Sequence, residues 1–195
     1  MAKVVQPNGF VVSKKWKMLG SKFLMKTKWL TVRQDHVMMP TGVEIEDYYV
    51  LEYPNWINVI AITEEGKFVL ERQYRHGTQT VDYELCAGTV EKNEEPIDAA
   101  KRELLEETGY EGGEWTLYCK SYPNPAAMTT TNYSFLAKGV KYSGERHLEK
   151  TEDIEIHLMT YDELKDLVNN GDIMQGQMLA PLWKYIAQFT HGGGV

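Results

Sequence analysis

The sequence has little cysteine, no excess of basic residues and no long apolar run. Its two cysteines, Cys86 and Cys119, are too few for a disulfide framework and lack zinc-site spacing, so we expect reduced thiols in a reducing cytosol. A formal net charge of -7 argues against a non-specific DNA or RNA partner. Because no uninterrupted apolar stretch marks a signal peptide or membrane span, we expect a cytoplasmic protein without a membrane partner.

What the chain does contain is an ordinary globular composition. Its 195 residues are 43% hydrophobic and 25% charged, which is sufficient for one domain with a real core and a small appended piece. The sequence contains no internal repeat, low-complexity block or convincing linker. A single principal domain is therefore the expectation.

The order of predicted elements is strands, helix, strands, helices, which favours an α+β sandwich. Residues 1–28 are basic and carry no predicted element, and residues 191–195 are expected to fray. Runs of β-branched and aromatic residues predict strands over 29–33, 45–53, 57–63, 68–74, 80–87, 115–121, 133–140 and 154–160. Turns are predicted at 41–42 and 64–67, and helices over 96–108, 161–169 and about 177–189.

The clearest helix begins at Pro96, which suits a first helical position, and ends before Gly109, which suits a left-handed cap. Beside its apolar face lie three carboxylates, Glu103, Glu106 and Glu107. Glu103 and Glu107 are four residues apart, so an α-helix would stack them one turn apart.

Two interpretations of this acidic stripe are open. Acidic runs on amphipathic helices usually form a solvated face. Three neighbouring carboxylates also repel one another, and a divalent cation would reverse the sign of that interaction. Oxygen-only ligands favour magnesium or manganese over zinc or copper.

The segment from Gly88 to Tyr110 resembles the signature of the Nudix hydrolases. That signature is a glycine, five residues, a glutamate, seven residues, and then Arg-Glu-apolar-x-Glu-Glu-x-Gly-apolar. The matching residues are Gly88, Glu94, Arg102, Glu103, Leu104, Glu106, Glu107 and Gly109, with Tyr110 at the last apolar position. The resemblance implies an α+β fold of the Nudix type, an α/β/α sandwich with a mixed sheet and an N-terminal antiparallel β extension.

The resemblance also implies a role for each matching residue. Magnesium, or manganese as a substitute, would be bound by Glu103, Glu106 and Glu107, together with the backbone carbonyl of Ala87. In the same scheme Gly88 permits a tight turn, Arg102 pairs with Glu94, and Gly109 ends the helix. Water would then attack phosphorus in a nucleoside diphosphate substrate.

The flanking residues resemble the branch that contains ADP-ribose pyrophosphatases and nucleotide-sugar hydrolases. Arg75 ends a Gln-Tyr-Arg strand that also holds Arg72, and in this branch its guanidinium would contact the substrate. Glu84 opens a Glu-Leu-Cys-Ala-Gly run in which Cys86 replaces proline, and Pro125 stands at a position typical of ADP-ribose hydrolysis. Arg72, Glu84 and Pro125 are therefore candidate substrate-binding residues beside Arg75. As ordinary features, the arginines are surface charges and Pro125 is a loop residue.

The chain departs from the branch at three places. Residues 126–132 lack the glutamate that often follows the proline. Lys150 stands where some relatives have a general base, so Glu149 or Glu152 takes that role, or a metal-bound hydroxide suffices; Glu152 is also a candidate metal ligand. Tyr48 replaces a substrate-binding arginine, and its ring either stacks on a base or packs in the interior.

Members of this branch are commonly homodimers, and residues 29–55 would form the shared surface. We therefore expect a β extension over residues 1–55 and a catalytic domain over 56–195. Hydrolysis of ADP-ribose to AMP and ribose 5-phosphate is the first hypothesis, and a GDP-mannose or UDP-glucose type of substrate is the second. A nucleotide sensor without activity is the distant alternative, which the intact acidic triad disfavours.

Overall fold

The structure is a computed structural model that describes residues 4–5, 11–12, 14–28, 30–144, 146–148 and 150–190. The chain divides into two compact units. The first unit comprises residues 1–53 and 124–129, and the second comprises residues 54–123 and 130–195. Among the described residues, no helix is both long and apolar enough to cross a membrane.

The first unit is built from antiparallel strands. Strand β1 (Val4–Val5) pairs with β2 (Val11–Val12), and β3 (Lys17–Lys26), β4 (Thr31–Met38) and β5 (Glu44–Glu52) form a three-stranded sheet. The turn expected at Thr41–Gly42 is confirmed, since Gly42 has a φ of 86° and its N–H donates to the carbonyl of Met39. This sheet is the N-terminal antiparallel extension that the resemblance implies.

Strand β3 lies in a stretch for which the sequence predicted no element. Its apolar residues come as neighbours, Met18–Leu19 and Phe23–Leu24–Met25, so they lack the period of two that marks a half-buried strand. Strand β4 also runs further than predicted, to Met38, while the predicted starting residue Trp29 lies outside the described residues.

The second unit contains a mixed eight-stranded sheet and its helices. The strands are β6 (Trp56–Thr63), β7 (Phe68–Arg75), β8 (Thr80–Glu84), β9 (Cys86–Thr89), β10 (Tyr110–Glu111), β11 (Glu114–Ser121), β12 (Asn132–Tyr142) and β13 (Ile154–Met159). The helices are α1 (Pro96–Glu103), which continues as a π-helical segment (Leu104–Thr108), α2 (Tyr161–Asn170) and α3 (Gly176–Thr190). Strand β12 runs parallel to β6, whereas β7 and β9 run antiparallel to it.

Helices cover both faces of this sheet, because alternate residues of β6 enter different cores. Ile60 and Ile62 pack in the core that contains Leu164 of α2 and Leu182 of α3. Val59 and Ala61 pack in the opposite core, which contains Ala99, Ala100 and Leu104. The predicted α/β/α sandwich is confirmed.

The single strand predicted over residues 80–87 is wrong in one respect. It breaks at Leu85 into β8, which pairs with β7, and β9, which pairs with β6. Strands β6 and β7 pair only at Ala61–Val69 and Ile62–Phe68, and they diverge beyond those pairs. Beyond that point β9 pairs with the free edge of β6, and β8 pairs with the free edge of β7. This change of partner brings β9 next to the second half of the predicted signature helix.

Candidate active site

The signature helix changes its hydrogen-bonding pattern at the acidic residues. It is α-helical from Pro96 to Glu103 and π-helical from Leu104 to Thr108. Gly109 then takes the left-handed conformation, with a φ of 74°, and ends the helix as expected. Because a π turn is wider than an α turn, Glu103 and Glu107 are not related by the regular α-helical turn that the sequence suggested.

Gly88 provides the space for the Glu103 carboxylate. The residue lies within strand β9 opposite Ile57, and its backbone is not in the left-handed region. A β-carbon on Gly88 would lie 2.1 Å from both Cδ and Oε1 of Glu103. The expectation that Gly88 permits a tight turn is therefore wrong: its missing side chain lets the helix carboxylate approach the strand.

Glu107 lies deep beside the same strand and is only 6% exposed. The backbone N–H of Ala87 donates to its Oε2 at 3.3 Å. Burial, reinforced by the charge of Glu103, raises the pKa of Glu107 to about 7. Burial also raises the pKa of Glu103, although the charge of Arg102 opposes that shift. Both carboxylates thus occupy places where a nearby positive charge would stabilise their ionised forms.

The guanidinium of Arg102 forms ion pairs with three carboxylates of the signature segment. Its Nε lies 2.9 Å from Oε1 of Glu94, so the pair expected from the signature is present. Its Nη1 lies 2.9 Å from Oε1 of Glu103 and 3.0 Å from Oε2 of Glu106, and its Nη2 donates to the carbonyl of Thr89. Glu106 therefore faces Arg102 and is 40% exposed, unlike the buried Glu107.

The loop before β13 supplies one further carboxylate, that of Glu152. Glu152 is half-buried, and its charge contributes to the raised pKa of Glu103. Glu152 is therefore close enough to Glu103 for their charges to interact. Glu149, the other candidate base, lies outside the described residues, and Lys150 is exposed.

Two buried residues that the sequence did not single out for the site complete this cluster. Ligand atoms of Glu71 on β7, Cys86 on β9 and Glu107 all lie within 4.8 Å of one another. Glu71 is fully buried, and neither of its carboxylate oxygens has a hydrogen-bond partner among the described residues. One feature of the sequence could have identified Glu71: it is a charged residue directly after the apolar residues Phe68, Val69 and Leu70 that begin β7.

The two candidate substrate arginines face opposite sides of β7. Arg75 pairs with the fully buried Glu84 through its Nε, at 2.7 Å, and its Nη2. The charges of Glu107 and Glu71 also contribute to a raised pKa of Arg75, after hydrogen bonding to Glu84. Arg72 instead lies over the ring of Tyr83 and 3.5 Å from Glu155. The structure thus brings Arg75, but not Arg72, to the carboxylate cluster.

Tyr48 and Pro125, the remaining candidates, meet within the first unit. The Tyr48 hydroxyl donates to the carbonyl of Ala126, next to Pro125, and the Trp16 ring packs edge-on at 5.7 Å. The loop that contains Pro125 is tied to β5, since the N–H of Leu51 donates to the carbonyl of Ala127 at 2.7 Å. Tyr48 is therefore engaged in local packing and a hydrogen bond.

Arg146, which the sequence also did not single out, joins the helix end to the start of β13. Its Nε donates to the carbonyl of Glu107 at 2.5 Å, and its Nη2 donates to the carbonyl of Ile154 at 2.6 Å. The next residue, His147, donates its backbone N–H to the carbonyl of Glu106 at 2.9 Å. The backbone that carries Glu106 and Glu107 is thereby fixed to the loop that carries Glu152.

Comparison with known protein families matches residues 53–179 to the NUDIX domain. Residues 16–51 match the nucleoside diphosphate sugar hydrolase N-terminal domain. The NUDIX match covers most of the chain, and the chain belongs to this family. It is a Nudix hydrolase.

Individual relatives agree with this assignment. An ADP-ribose pyrophosphatase of Bacillus subtilis is 28% identical over 80% of this chain and 85% of its own length. A methanol dehydrogenase activator of Bacillus methanolicus is 30% identical over 75% of this chain and 80% of its own. A GDP-mannose pyrophosphatase of Escherichia coli is 29% identical over 59% and 64%, respectively. The crystal structure of an ADP compounds hydrolase shares the fold, with a TM-score of 0.80 at 18% identity over 99% of this chain and 100% of that one.

Proposed function

We propose that the protein hydrolyses the pyrophosphate bond of ADP-ribose, giving AMP and ribose 5-phosphate, in a magnesium-dependent reaction. The observation that carries this proposal is the place of Glu103 and Glu107 beside β9. The charge of Glu152 acts on Glu103, and the charge of Glu107 acts on Arg75. Negative charges close to one another suit a divalent cation, and an adjacent guanidinium suits a phosphate.

The residues at the site fit a magnesium or manganese ion. Glu103 and Glu107 are carboxylates whose raised pKa values reflect burial, and a cation offsets the cost of ionising them. We assign metal binding to Glu103, Glu107 and Glu152, with the Ala87 carbonyl as a further oxygen and Glu106 at the outer edge of the set. The metal supplies neutralisation of the diphosphate and a lowered pKa for water.

Each remaining residue then has a defined task. Arg102 orients Glu103 and Glu106 through its ion pairs. Arg75, which is hydrogen-bonded to Glu84 through two of its nitrogens, binds a phosphate oxygen. Glu152, or Glu149 in the same loop, accepts the proton of the attacking water.

ADP-ribose is preferred because the Bacillus subtilis relative with that activity matches most of both chains. Hydrolysis of GDP-mannose or another nucleotide sugar is the second candidate, supported by the Escherichia coli relatives and by the N-terminal match to nucleoside diphosphate sugar hydrolases. Pro125 and Tyr48, which both belong to the first unit, are further candidates for contact with the substrate.

A substrate panel tests this proposal. Purified protein with Mg²⁺ is offered ADP-ribose, GDP-mannose and UDP-glucose, and the products are identified by chromatography. We expect AMP and ribose 5-phosphate, the highest kcat/KM for ADP-ribose, and loss of turnover when EDTA removes the metal. A higher kcat/KM for GDP-mannose would select the second candidate, and no turnover of any substrate would reject both.

We also propose that residues 1–55 form an N-terminal extension, that residues 56–195 form the catalytic domain, and that the protein is a homodimer joined through the extension. Strand β3 exposes Met18, Phe23, Leu24 and Met25, each about half accessible. Exposed apolar side chains in one strand favour a partner surface. Light scattering should give twice the monomer mass, and Phe23→Asp with Leu24→Asp should give the monomer. A monomeric unmodified protein would reject the proposal.

A further inference from the structure

We propose that Glu71, Cys86 and Glu107 form a second cation site, which binds a zinc-class divalent cation through one thiolate and two carboxylates. The site shares Glu107 with the proposed magnesium site. Binding at this site does not depend on the proposed function, whereas its consequence for activity rests on that function.

Three elements bring these donors together. Glu71 comes from β7, Cys86 from β9 and Glu107 from the π-helical segment, and their ligand atoms lie within 4.8 Å of one another. Glu71 and Cys86 are fully buried, and Glu107 is 6% exposed. Glu107 is therefore the one donor of the three that a cation reaches from solvent, and Glu71 and Cys86 lie further inside the protein.

Glu71 is the observation that points to a ligand. A carboxylate with no exposure is normally hydrogen-bonded, because an unpaired polar group in the interior is costly. Both oxygens of Glu71 have no hydrogen-bond partner within the described part of the chain. They lie instead beside the carboxylate of Glu107, which cannot donate a hydrogen bond when it is ionised, and the thiol of Cys86, which is only a weak donor. A bound cation would satisfy all three groups together.

The donor set selects the cation. Thiolate sulfur favours zinc and cobalt, whereas magnesium takes oxygen ligands. With Zn–S near 2.3 Å and Zn–O near 2.1 Å, tetrahedral geometry puts sulfur and oxygen about 3.6 Å apart. The donors here lie within 4.8 Å of one another, so a sulfur–oxygen pair exceeds that spacing by about 1.2 Å at most. Three protein ligands leave one position for water or a phosphate oxygen.

Sharing Glu107 gives the site a consequence. A cation held by Glu71 and Cys86 withdraws Glu107 from the magnesium set, so a zinc-class ion inhibits the magnesium-dependent reaction. The other way to neutralise two neighbouring buried carboxylates is a proton shared by Glu71 and Glu107, which would leave the thiol without a metal. A spectroscopic probe separates these two arrangements.

Cobalt titration of the metal-free, reduced protein is the test. Co²⁺ bound to a thiolate gives a near-ultraviolet charge-transfer absorption that Co²⁺ bound to oxygen ligands does not give. We expect this absorption in the unmodified protein, its displacement by Zn²⁺, and its persistence in excess Mg²⁺. Cys86→Ser should abolish it, and Glu71→Gln should keep the sulfur ligand but weaken Co²⁺ binding at least about tenfold.

Cys119→Ser is the matched control, because Cys119 is the other free thiol and lies outside the cluster. It should retain the absorption, and circular dichroism should show that every variant is folded; Cys86→Ala replaces Cys86→Ser if the hydroxyl disturbs the core. No charge-transfer absorption in the unmodified protein, or its loss in Cys119→Ser but not in Cys86→Ser, would overturn the proposal. Turnover of the substrate panel with Mg²⁺ is measured separately, so a failed proposed function is distinguishable from a missing cobalt site.

Discussion

Gly88 and Glu103 approach so closely that any β-carbon on Gly88 would occupy the place of the Glu103 carboxylate. The strand that carries Gly88 also carries Ala87, whose N–H donates to Glu107. One short strand therefore positions two of the carboxylates to which we assign the metal. The first glycine of the signature is explained by packing, since its backbone is that of an ordinary strand.

Gly88→Ala should impair catalysis more than folding. The added methyl group meets the flexible end of Glu103, so the carboxylate moves and the backbone keeps its place. We expect kcat to fall about a hundredfold, because misplacing a catalytic group by about 1 Å has an effect of that size. Steady-state kinetics and thermal unfolding measure the two effects. The matched control is Gly176→Ala, where a β-carbon meets nothing within 4 Å; equal loss of activity in both variants would contradict the packing argument.

The sequence predicted the sandwich and the position of the signature helix, but it did not predict the π-helical segment at Leu104–Thr108. Apolar periodicity indicates which face of a helix is buried; it does not indicate a change from α to π hydrogen bonding. The burial of Glu71 was also missed, since it depends on β8 and β9 covering the diverging edges of β7 and β6. Such contacts arise from topology rather than from local sequence.

The metal-free protein should lose stability as pH rises from about 4.5 to about 7. Burial raises the pKa of Glu107 to about 7 from an ordinary value of 4.5. Between these values the unfolded chain has released its proton and the folded chain still holds it, so rising pH favours unfolding. Below the window both states are protonated, and above it both are ionised, so the slope disappears.

Thermal unfolding in EDTA across pH 4 to 8 measures this dependence for Glu107. Glu107→Gln removes the titrating group, so its melting temperature should fall less over the same range than that of the unmodified protein. Glu65→Gln, which alters an exposed turn carboxylate, is the control and should keep the original slope. Identical slopes in the Glu107 variant and the unmodified protein would show that Glu107 does not titrate in this window.

Arg146 should act as a positioning residue for the metal ligands. It donates to the carbonyls of Glu107 and Ile154, so Arg146→Ala removes the side-chain bridge between the helix end and the loop that carries Glu152, and leaves the backbone bond from His147 to Glu106. We expect the Mg²⁺ concentration for half-maximal activity to rise by about tenfold to a hundredfold, as for other residues that orient metal ligands. Arg146→Lys supplies one ammonium in place of two donors in a fixed fork, and it should restore only part of the loss.

The control for Arg146→Ala removes another cationic side chain of the second unit that donates to a backbone carbonyl. Lys184 donates to the carbonyl of Tyr118 at 2.6 Å. Lys184→Ala should leave the Mg²⁺ requirement unchanged, whatever its effect on unfolding. If Arg146→Ala lowers only the melting temperature, and activity well below that temperature has the original Mg²⁺ dependence, then Arg146 is purely structural.

Arg75 and Arg72 should differ sharply in their effect on activity, although they lie three residues apart on one strand. Arg72 is on the face with Tyr83 and Glu155, so Arg72→Ala should leave kcat/KM unchanged and should change stability by about 0.5 kcal/mol or less, as for other surface substitutions. Arg75→Ala removes a guanidinium near Glu107 and should lower kcat/KM at least about tenfold, since each 1.4 kcal/mol of lost phosphate contact corresponds to that factor.

Glu84 complicates the Arg75 variant, because removing Arg75 leaves a buried carboxylate without its cation. Breaking such a buried pair from one side costs about 3–5 kcal/mol of folding free energy. The double variant Arg75→Ala with Glu84→Gln removes the buried charge and should recover most of the stability. If kcat/KM stays low in this double variant while the melting temperature recovers, Arg75 contacts substrate; if both recover together, the arginine serves only to neutralise Glu84.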